Sequence, residues 1–337
     1  MAITRGDKST AEIYCMNAMR LLCISLRGYG MILCCGEALI DFLPRKGADG
    51  AFVYQPFNGG SIYNTAIALG RLDVATGFLG GVSNDFFGDN LAEGLSASKV
   101  SLRYVVRKAL HTTLAFVKLV DGHARYSFID EISAARNFTK KDLPKLPKSV
   151  EALHFGSISL IPEPCGGTYE ALLKREYKTR VICVDPNIRA SLVHEKKKHM
   201  IRLHDMMAKA DIVKISDEDV LWMTKGKNFA KFAKTCLKRG AKIVAITKGG
   251  EGSEIYTSRY TFKMNVPRVK IVDTVGAGDT FTAGLLANLS KSKLLTKEKL
   301  AVIDEASLRT AVAFAMKAAA VTVSRAGADP PWSIEMK

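Results

Sequence analysis

Gly276-Ala277-Gly278-Asp279 sets two glycines around one small residue and places a carboxylate directly behind them. Two glycines let a backbone turn tightly with no side chain in the way, so several peptide N–H groups can converge at the positive end of a following helix. Such a point suits an anion. A carboxylate beside it would repel a phosphate unless it accepts a proton or partners a hydroxyl or a metal ion, so the pairing suggests phosphoryl transfer to an alcohol. Taken alone, the same four residues also read as a tight turn with Asp279 an ordinary first-turn acid.

The elements around this string must position it. Val269, Ile271 and Val272 form an apolar β-branched run before the glycines, and a helical pattern opens at Asp279 and continues through Phe281, Leu285 and Leu286. The expectation is strand, glycine turn, helix. Earlier, Met31 to Ile40 reads as a buried central strand ending at Asp41, at the carboxyl edge where ligands of open α/β sheets gather, although a capping or turning loop aspartate fits the same position. Gly59-Gly60 permits close backbone approach to a ligand, and Asn64, about one helical turn on, can turn its amide to the same cleft. His154 to Ser159, Val181 to Val184, Ile212 to Ile215 and Ile243 to Thr247 alternate with helical segments, which predicts a parallel sheet with helices on both faces. His111 to Ile129 alternates around Asp121-Gly122 and predicts a hairpin.

Asp273-Thr274-Val275-Gly276-Ala277-Gly278-Asp279-Thr280-Phe281 resembles the second signature of the ribokinase-like carbohydrate kinases, also called the phosphofructokinase B group. Asn58 to Leu72 resembles the first signature, and Gly36 to Pro44 looks most like the fructokinase branch. The resemblance runs from Met31 to about residue 330. It implies a three-layer α/β/α sandwich with a mostly parallel sheet and a small β lid, here drawn from about 42–57 and 111–129. It further implies that Asp279 is the catalytic base, that Gly276, Ala277 and Gly278 form the anion hole, and that Asp41, Gly59, Gly60 and Asn64 hold the sugar. Asn187 and Arg189 of Asp185-Pro186-Asn187-Ile188-Arg189, with Thr247, Gly249 and Gly252, are expected near the nucleotide. Ser216 and Asp219 stand where the family has Asn and Glu, leaving Asp219 a shorter carboxylate in the magnesium region. A potassium-like ion is implied at Asp273 with carbonyls of Val275, Thr322, Arg325 and Gly327. The expected activity is transfer from MgATP to a small sugar, fructose first, with ribose and 2-keto-3-deoxygluconate as alternatives. A silent kinase fold serving as a regulatory or nucleic-acid-binding protein is the reading of another class.

Composition bounds these readings. The 337-residue chain has 49 Lys and Arg against 33 Asp and Glu, a formal charge of +16, yet its lysines scatter through segments such as 140–148, 196–198, 225–238 and 291–299. They read as solvated faces, and no basic stripe is interleaved with aromatics, which argues against a nucleic-acid partner. No apolar run approaches the ~20 residues of a membrane span. Seven cysteines without a Cys-x-x-Cys pair point to reduced thiols in a cytoplasm, and neighbouring Cys34 and Cys35 should face opposite sides of a strand. His194, His199 and His204 recur every five residues, which does not align them for a metal. Neither a nicotinamide nor a P-loop fingerprint occurs. Residues 1–30 read as a peripheral tail, 31–337 as one kinase domain, and the lid as a homodimer contact.

Overall fold

The computed structural model describes residues 30–337 apart from 48, 121 and 122. Its strands are β1 (Met31–Cys35), β2 (Leu39–Lys46), β3 (Phe52–Gly59), β4 (Thr76–Ser83), β5 (Val100–Ser101), β6 (Val105–Lys108), β7 (Thr113–Val120), β8 (His123–Ile129), β9 (Val150–Gly156), β10 (Val181–Asp185), β11 (Ile212–Ser216), β12 (Ile243–Thr247), β13 (Ser253–Tyr256) and β14 (Thr261–Met264). The helices are α1 (Ser61–Arg71), α2 (Phe86–Ala97), α3 (Cys165–Glu176), α4 (Lys196–Met207), α5 (Asp217–Thr224), α6 (Phe229–Arg239), α7 (Ala277–Lys291), α8 (Lys297–Ala301) and α9 (Glu305–Val323).

Ten strands form one sheet in the order β14-β13-β12-β11-β10-β9-β1-β4-β5, with β6 also on β4. All pairs from β12 to β4 are parallel, and only β13 and β14 run antiparallel at the edge. Strand β1 shows why both faces are covered. Ile32 and Cys34 enter a core with Ile62 and Leu69 of α1, Phe281 and Leu285 of α7 and Val312 of α9. Leu33 and Cys35 enter the opposite core with Tyr169 of α3, Met206 of α4, Val220 of α5 and Phe232 of α6. A strand buried on both faces needs no polar alternation, and its apolar run follows from that. The result is the three-layer α/β/α architecture that the alternating segments predicted.

Four further strands make a separate sheet in the order β3-β2-β7-β8, antiparallel except for β2 with β7. The Asp121-Gly122 turn lies outside the described residues, as does the tail 1–29, while the strands flanking the turn pair up to Val120 with His123.

Two expected strands are corrected. Met31 to Ile40 is not one strand: β1 ends at Cys35, Gly36-Glu37-Ala38 carries the chain across to the small sheet, and Asp41 is the third residue of β2. A side chain at Gly36 would drive into Ile62, so only glycine lets the chain cross this close to α1. Val269, Ile271 and Val272 form no strand either. The N–H groups of Val272 and Asp273 donate to the carbonyl of Val323 at the end of α9, at 2.8 and 3.3 Å. β-Branched residues favour an extended backbone whether or not a sheet partner is offered, and here the run borders a cavity.

Helix α9 is, among the described residues, the one helix long and apolar enough to cross a membrane by length and composition. Leu308, Ala311, Val312, Ala315 and Ala318 bury one of its faces in the core that also holds α7, the pattern of a core helix.

Candidate active site

Two helix starts meet above the carboxyl ends of β1, β10 and β11. Helix α7 begins after Gly276, whose φ of 77° is the left-handed conformation that glycine adopts at no steric cost. Helix α1 begins after Gly60, with φ of 101°. Asp279 in the first turn of α7 is buried, with 6% of its surface exposed. Its Oδ1 accepts from the Ser61 hydroxyl at 2.6 Å and its Oδ2 from the Asn64 amide at 3.0 Å. Burial raises the pKa of this carboxyl, and the Asp185 charge adds to that, while the Ser61 and Asn64 hydrogen bonds and Lys214 oppose it.

Beneath the turn lies a buried ion pair. Lys214 Nζ donates to Asp185 Oδ2 at 2.8 Å, with both side chains at most 5% exposed, and Thr282 of α7 donates to the same oxygen at 3.3 Å. Burial works against the Lys214 ammonium, yet Asp185, then Asp279 and Asp219, outweigh it and hold its pKa above the usual lysine range. A Cβ on Gly278 would stand 2.9 Å from Lys214 Nζ, so the bare glycine keeps the ammonium pressed under the anion hole. Asp185 Oδ1 has no hydrogen-bond partner among the described residues.

Around this centre the pocket is acidic. Burial pushes Asp41 up to about 7, with Arg189 lowering and Asp279 raising it. Glu37, from the crossing between β1 and β2, is pushed by burial to about 7; one oxygen accepts the Ile62 N–H at 3.4 Å and the other has no hydrogen-bond partner among the described residues. Asp219 accepts the Ile188 N–H at 3.0 Å and is raised by burial, then by Asp185, to about 6. Carboxyls held this high mark a place where negative charge lacks compensation, which fits a divalent cation arriving with a polyphosphate.

Two cavities adjoin at the start of α7. The first, about 440 Å³, is lined by Asp41, Gly60, Asn64, Asn187, Arg189, Asp219, Thr247, Gly249, Val275, Gly276, Gly278 and Asp279, and also by Glu37, Ser61, Phe128, Ile158 and Lys214. The second, about 680 Å³ and mostly apolar, is lined by Thr247, Gly249, Gly252, Ala277 and Gly278 with Val266, Val269, Ile271, Phe281, Met316, Ala319 and Val323. The unpaired β-branched run is one of its walls.

Gly59 lines neither cavity but abuts Asp41, whose carboxyl a side chain at 59 would strike. Asp273, Thr322, Arg325 and Gly327 also line neither. Asp273 accepts the N–H groups of Val275 at 3.0 Å and Gly327 at 2.9 Å, tying the turn before α7 to the loop after α9. The Thr322 hydroxyl donates to Thr280 at 3.0 Å, and the Arg325 side chain turns away to Glu335 and Asp329. Asp273 thus joins the two loops that hold Val275 and Gly327, and neutral carbonyls with one carboxylate are a donor set that suits a monovalent ion. Among the described residues no group of three or more His, Cys, Asp and Glu converges on a metal-sized point.

Sequence reasoning gave no role to Ser61, Lys214 or Glu37. Two of them carried a signal. Lys214 is the one charge in the apolar strand Ile212–Ile215, and a buried-strand lysine requires a carboxylate on a neighbouring strand. Ser61 directly follows the glycine pair, at a helix start where a hydroxyl can face the cleft.

A parallel α/β/α core that sets an enclosed acid at an anion-binding helix start, between a polar and an apolar cavity, defines a phosphotransferase acting on an alcohol. The model of the pfkB family carbohydrate kinases matches residues 30–335, and the chain belongs to that family. A fructokinase of Rhizobium leguminosarum bv. trifolii is 52% identical over 279 residues, 83% of this chain and 86% of that protein. Among solved structures, fructokinase from Xylella fastidiosa with bound ATP superposes with a TM-score of 0.83 at 25% identity, covering 91% of this chain and 97% of that one. Fructokinase from Vibrio cholerae O395 in its fructose-, ADP- and calcium-bound form gives 0.78 at 26% identity, over 89% and 94%.

Proposed function

We propose that the chain is an ATP-dependent fructokinase in which Asp279 accepts the proton of a primary sugar hydroxyl as the γ-phosphoryl group is transferred. One observation carries the reading: the Asp279 carboxylate stands in the first turn of α7 with both oxygens held by α1, facing the polar cavity that also contains Asp41. Fructose as the sugar is supported by the fructokinase relative at 52% identity. The sugar lies in the polar cavity against Asp41, Gly59, Gly60 and Asn64. ATP lays its base in the apolar cavity and its phosphates past Thr247, Gly249, Gly252, Asn187 and Arg189 toward the hole. The N–H groups at Gly276, Ala277 and Gly278 face the charge that develops on the transferred group, that of Ala277 exchanging its present 3.3 Å bond to the Thr274 carbonyl for it. In a loose phosphoryl transition state the nucleophile needs little prior deprotonation, so a carboxylate at a helix start is basic enough. Magnesium, when bound, neutralises phosphate charge, and Asp219 is the carboxylate that would hold it. A monovalent cation at Asp273 and the carbonyls of Val275, Thr322, Arg325 and Gly327 would stiffen the turn that presents the hole.

The small sheet serves as a lid over the sugar. Phe52, Val53 and Tyr54 of β3 are exposed there, at 67%, 43% and 39%, which supports a homodimer joined through this sheet; light scattering that returns a monomer mass would remove that assignment. Free, buried thiols at Cys34, Cys35, Cys165, Cys183 and Cys236 suit a reducing cytoplasm. The function is tested by ADP release with magnesium, potassium and ATP against fructose, ribose, 2-keto-3-deoxygluconate, glucose, adenosine and fructose 6-phosphate. The expected result is a clear preference for fructose. Preference for another sugar would keep the chemistry and replace the substrate, whereas no turnover on any would overturn the reading.

A further inference from the structure

The Ser61 hydroxyl occupies an unusual place, since it touches the base directly and is itself held from the far side of the cleft. Arg189 Nη1 donates to Asn187 Oδ1 at 2.5 Å. Asn187 Nδ2 donates to Ser61 Oγ at 2.8 Å, and Ser61 Oγ donates to Asp279 Oδ1 at 2.6 Å. The direction of this chain is forced by chemistry. A guanidinium only donates, so Asn187 must turn its oxygen to Arg189 and its NH2 to Ser61. The serine oxygen then accepts, and its single proton is left for Asp279.

We infer that Ser61 is a positioning residue for the transfer step, whose hydroxyl ties the Asn187–Arg189 turn to Asp279 and keeps that carboxylate ionised and correctly rotated to receive the sugar proton. The inference rests on the reading of Asp279 as the base. A protonated Asp279 could not accept at every position it now fills, so a chain that delivers a donor from one side favours the ionised form. The need is evident from the surroundings. Asp279 faces Glu37 from the β1–β2 crossing, Asp41 from β2, Asp185 from β10 and Asp219 from α5, against the cations Lys214 of β11 and Arg189. Burial among four other carboxyls raises its proton affinity, and the Ser61 bond is first among the influences that lower it. Arg189 lies where the phosphates are expected, and its bond to Asn187 fixes which way the serine proton points. Base and phosphate side are thereby linked through one hydroxyl.

The test is the pH dependence of kcat and KM for Ser61→Ala, Ser61→Thr and Asn187→Gly, the last chosen because glycine accepts the φ of 38° at that position. Loss of a hydrogen bond to a charged group predicts a kcat roughly tenfold or more lower for Ser61→Ala, with KM for sugar and ATP within about twofold. The acidic limb of the kcat profile should move up by about one pH unit. Ser61→Thr, which keeps the hydroxyl, should restore both. Asn187→Gly should lower kcat with the same upward limb shift, and the double variant Ser61→Ala/Asn187→Gly should shift the limb no further than Ser61→Ala. An unmoved limb with unchanged kcat in Ser61→Ala overturns the inference, as does an equal loss in the Ala and Thr variants. Should Ser61→Ala fail to fold, an unshifted limb in Asn187→Gly overturns it in its place. Asp279→Asn keeps the two readings apart: full activity there removes the base itself, whereas inactivity there with an unshifted Ser61→Ala removes only the role of Ser61.

Discussion

As the proposed base, Asp279 has to be enclosed, so that water does not compete with the sugar, and still remain an anion. Replacing it by Ala should lower kcat by about 10²–10⁴-fold, the usual worth of a positioned general base, while ATP still binds by calorimetry. Lys214 meets the same conflict from the opposite sign. Its replacement by Met leaves Asp185 buried without a cation and should cost about 3–5 kcal/mol in urea unfolding, and adding Asp185→Asn should recover much of that loss. If Lys214→Met unfolds like the parent, the ion pair contributes nothing measurable. At this scale the sequence was informative where a residue type is chemically unusual for its setting, as with a Gly-x-Gly-Asp at a helix start. It was silent on Glu37 and offered for Ser61 only its place behind the glycine pair, because a serine or a glutamate acquires its role only when a distant segment, 218 residues away for Ser61 and Asp279, folds against it.

Helix α7 carries the proposed base, so whatever seats α7 also aims Asp279. Its Gly284 lies so close to α9 that a Cβ would stand 2.6 Å from the Cα of Ala315. Gly284→Val should therefore push the two helices apart, losing about 1–3 kcal/mol of stability and lowering kcat more than KM, because the anion hole moves with the helix. Unchanged melting and kcat would mean that the two helices are less tightly coupled than this contact requires. Elements buried on both faces, such as β10, β11 and β12, were legible within a residue or two from their apolar runs. The break after Cys35 and the unpaired Val269–Val272 segment were not. Both obey local β preference, and what decides them is external: contact with Ile62 in one case, and the hydrogen bonds of Val272 and Asp273 to the end of α9 in the other.

The molecule as a whole concentrates buried acid in one place, and its stability should record that. Glu37 has a folded pKa of about 7 against an ordinary 4.5. The folded state therefore holds this proton more tightly, so the contribution of Glu37 is fully present below about pH 4.5 and is lost as pH rises through 7. Glu37→Gln should match the parent near pH 4.5 and exceed it by up to about 3 kcal/mol at pH 8, read from denaturant unfolding at both values. Buried His154, lowered to about 4 by burial, works the other way between its folded value and the ordinary 6.5, so the parent curve alone will look shallow and the difference between variants is the informative quantity. The exposed wall of the apolar cavity has a practical side. Val269, Ile271 and Val272, at 42%, 63% and 55% exposure, compose a strand-forming stretch, interrupted by one charge at Lys270, that joins no sheet among the described residues. Two molecules meeting there can pair edge to edge, and a nucleotide base seated in the apolar cavity, as proposed, would cover the stretch. Storage and purification should reflect this: turbidity on warming should set in later with ADP present than with fructose alone, and a substitution of Ile271 by Lys should delay it without any ligand.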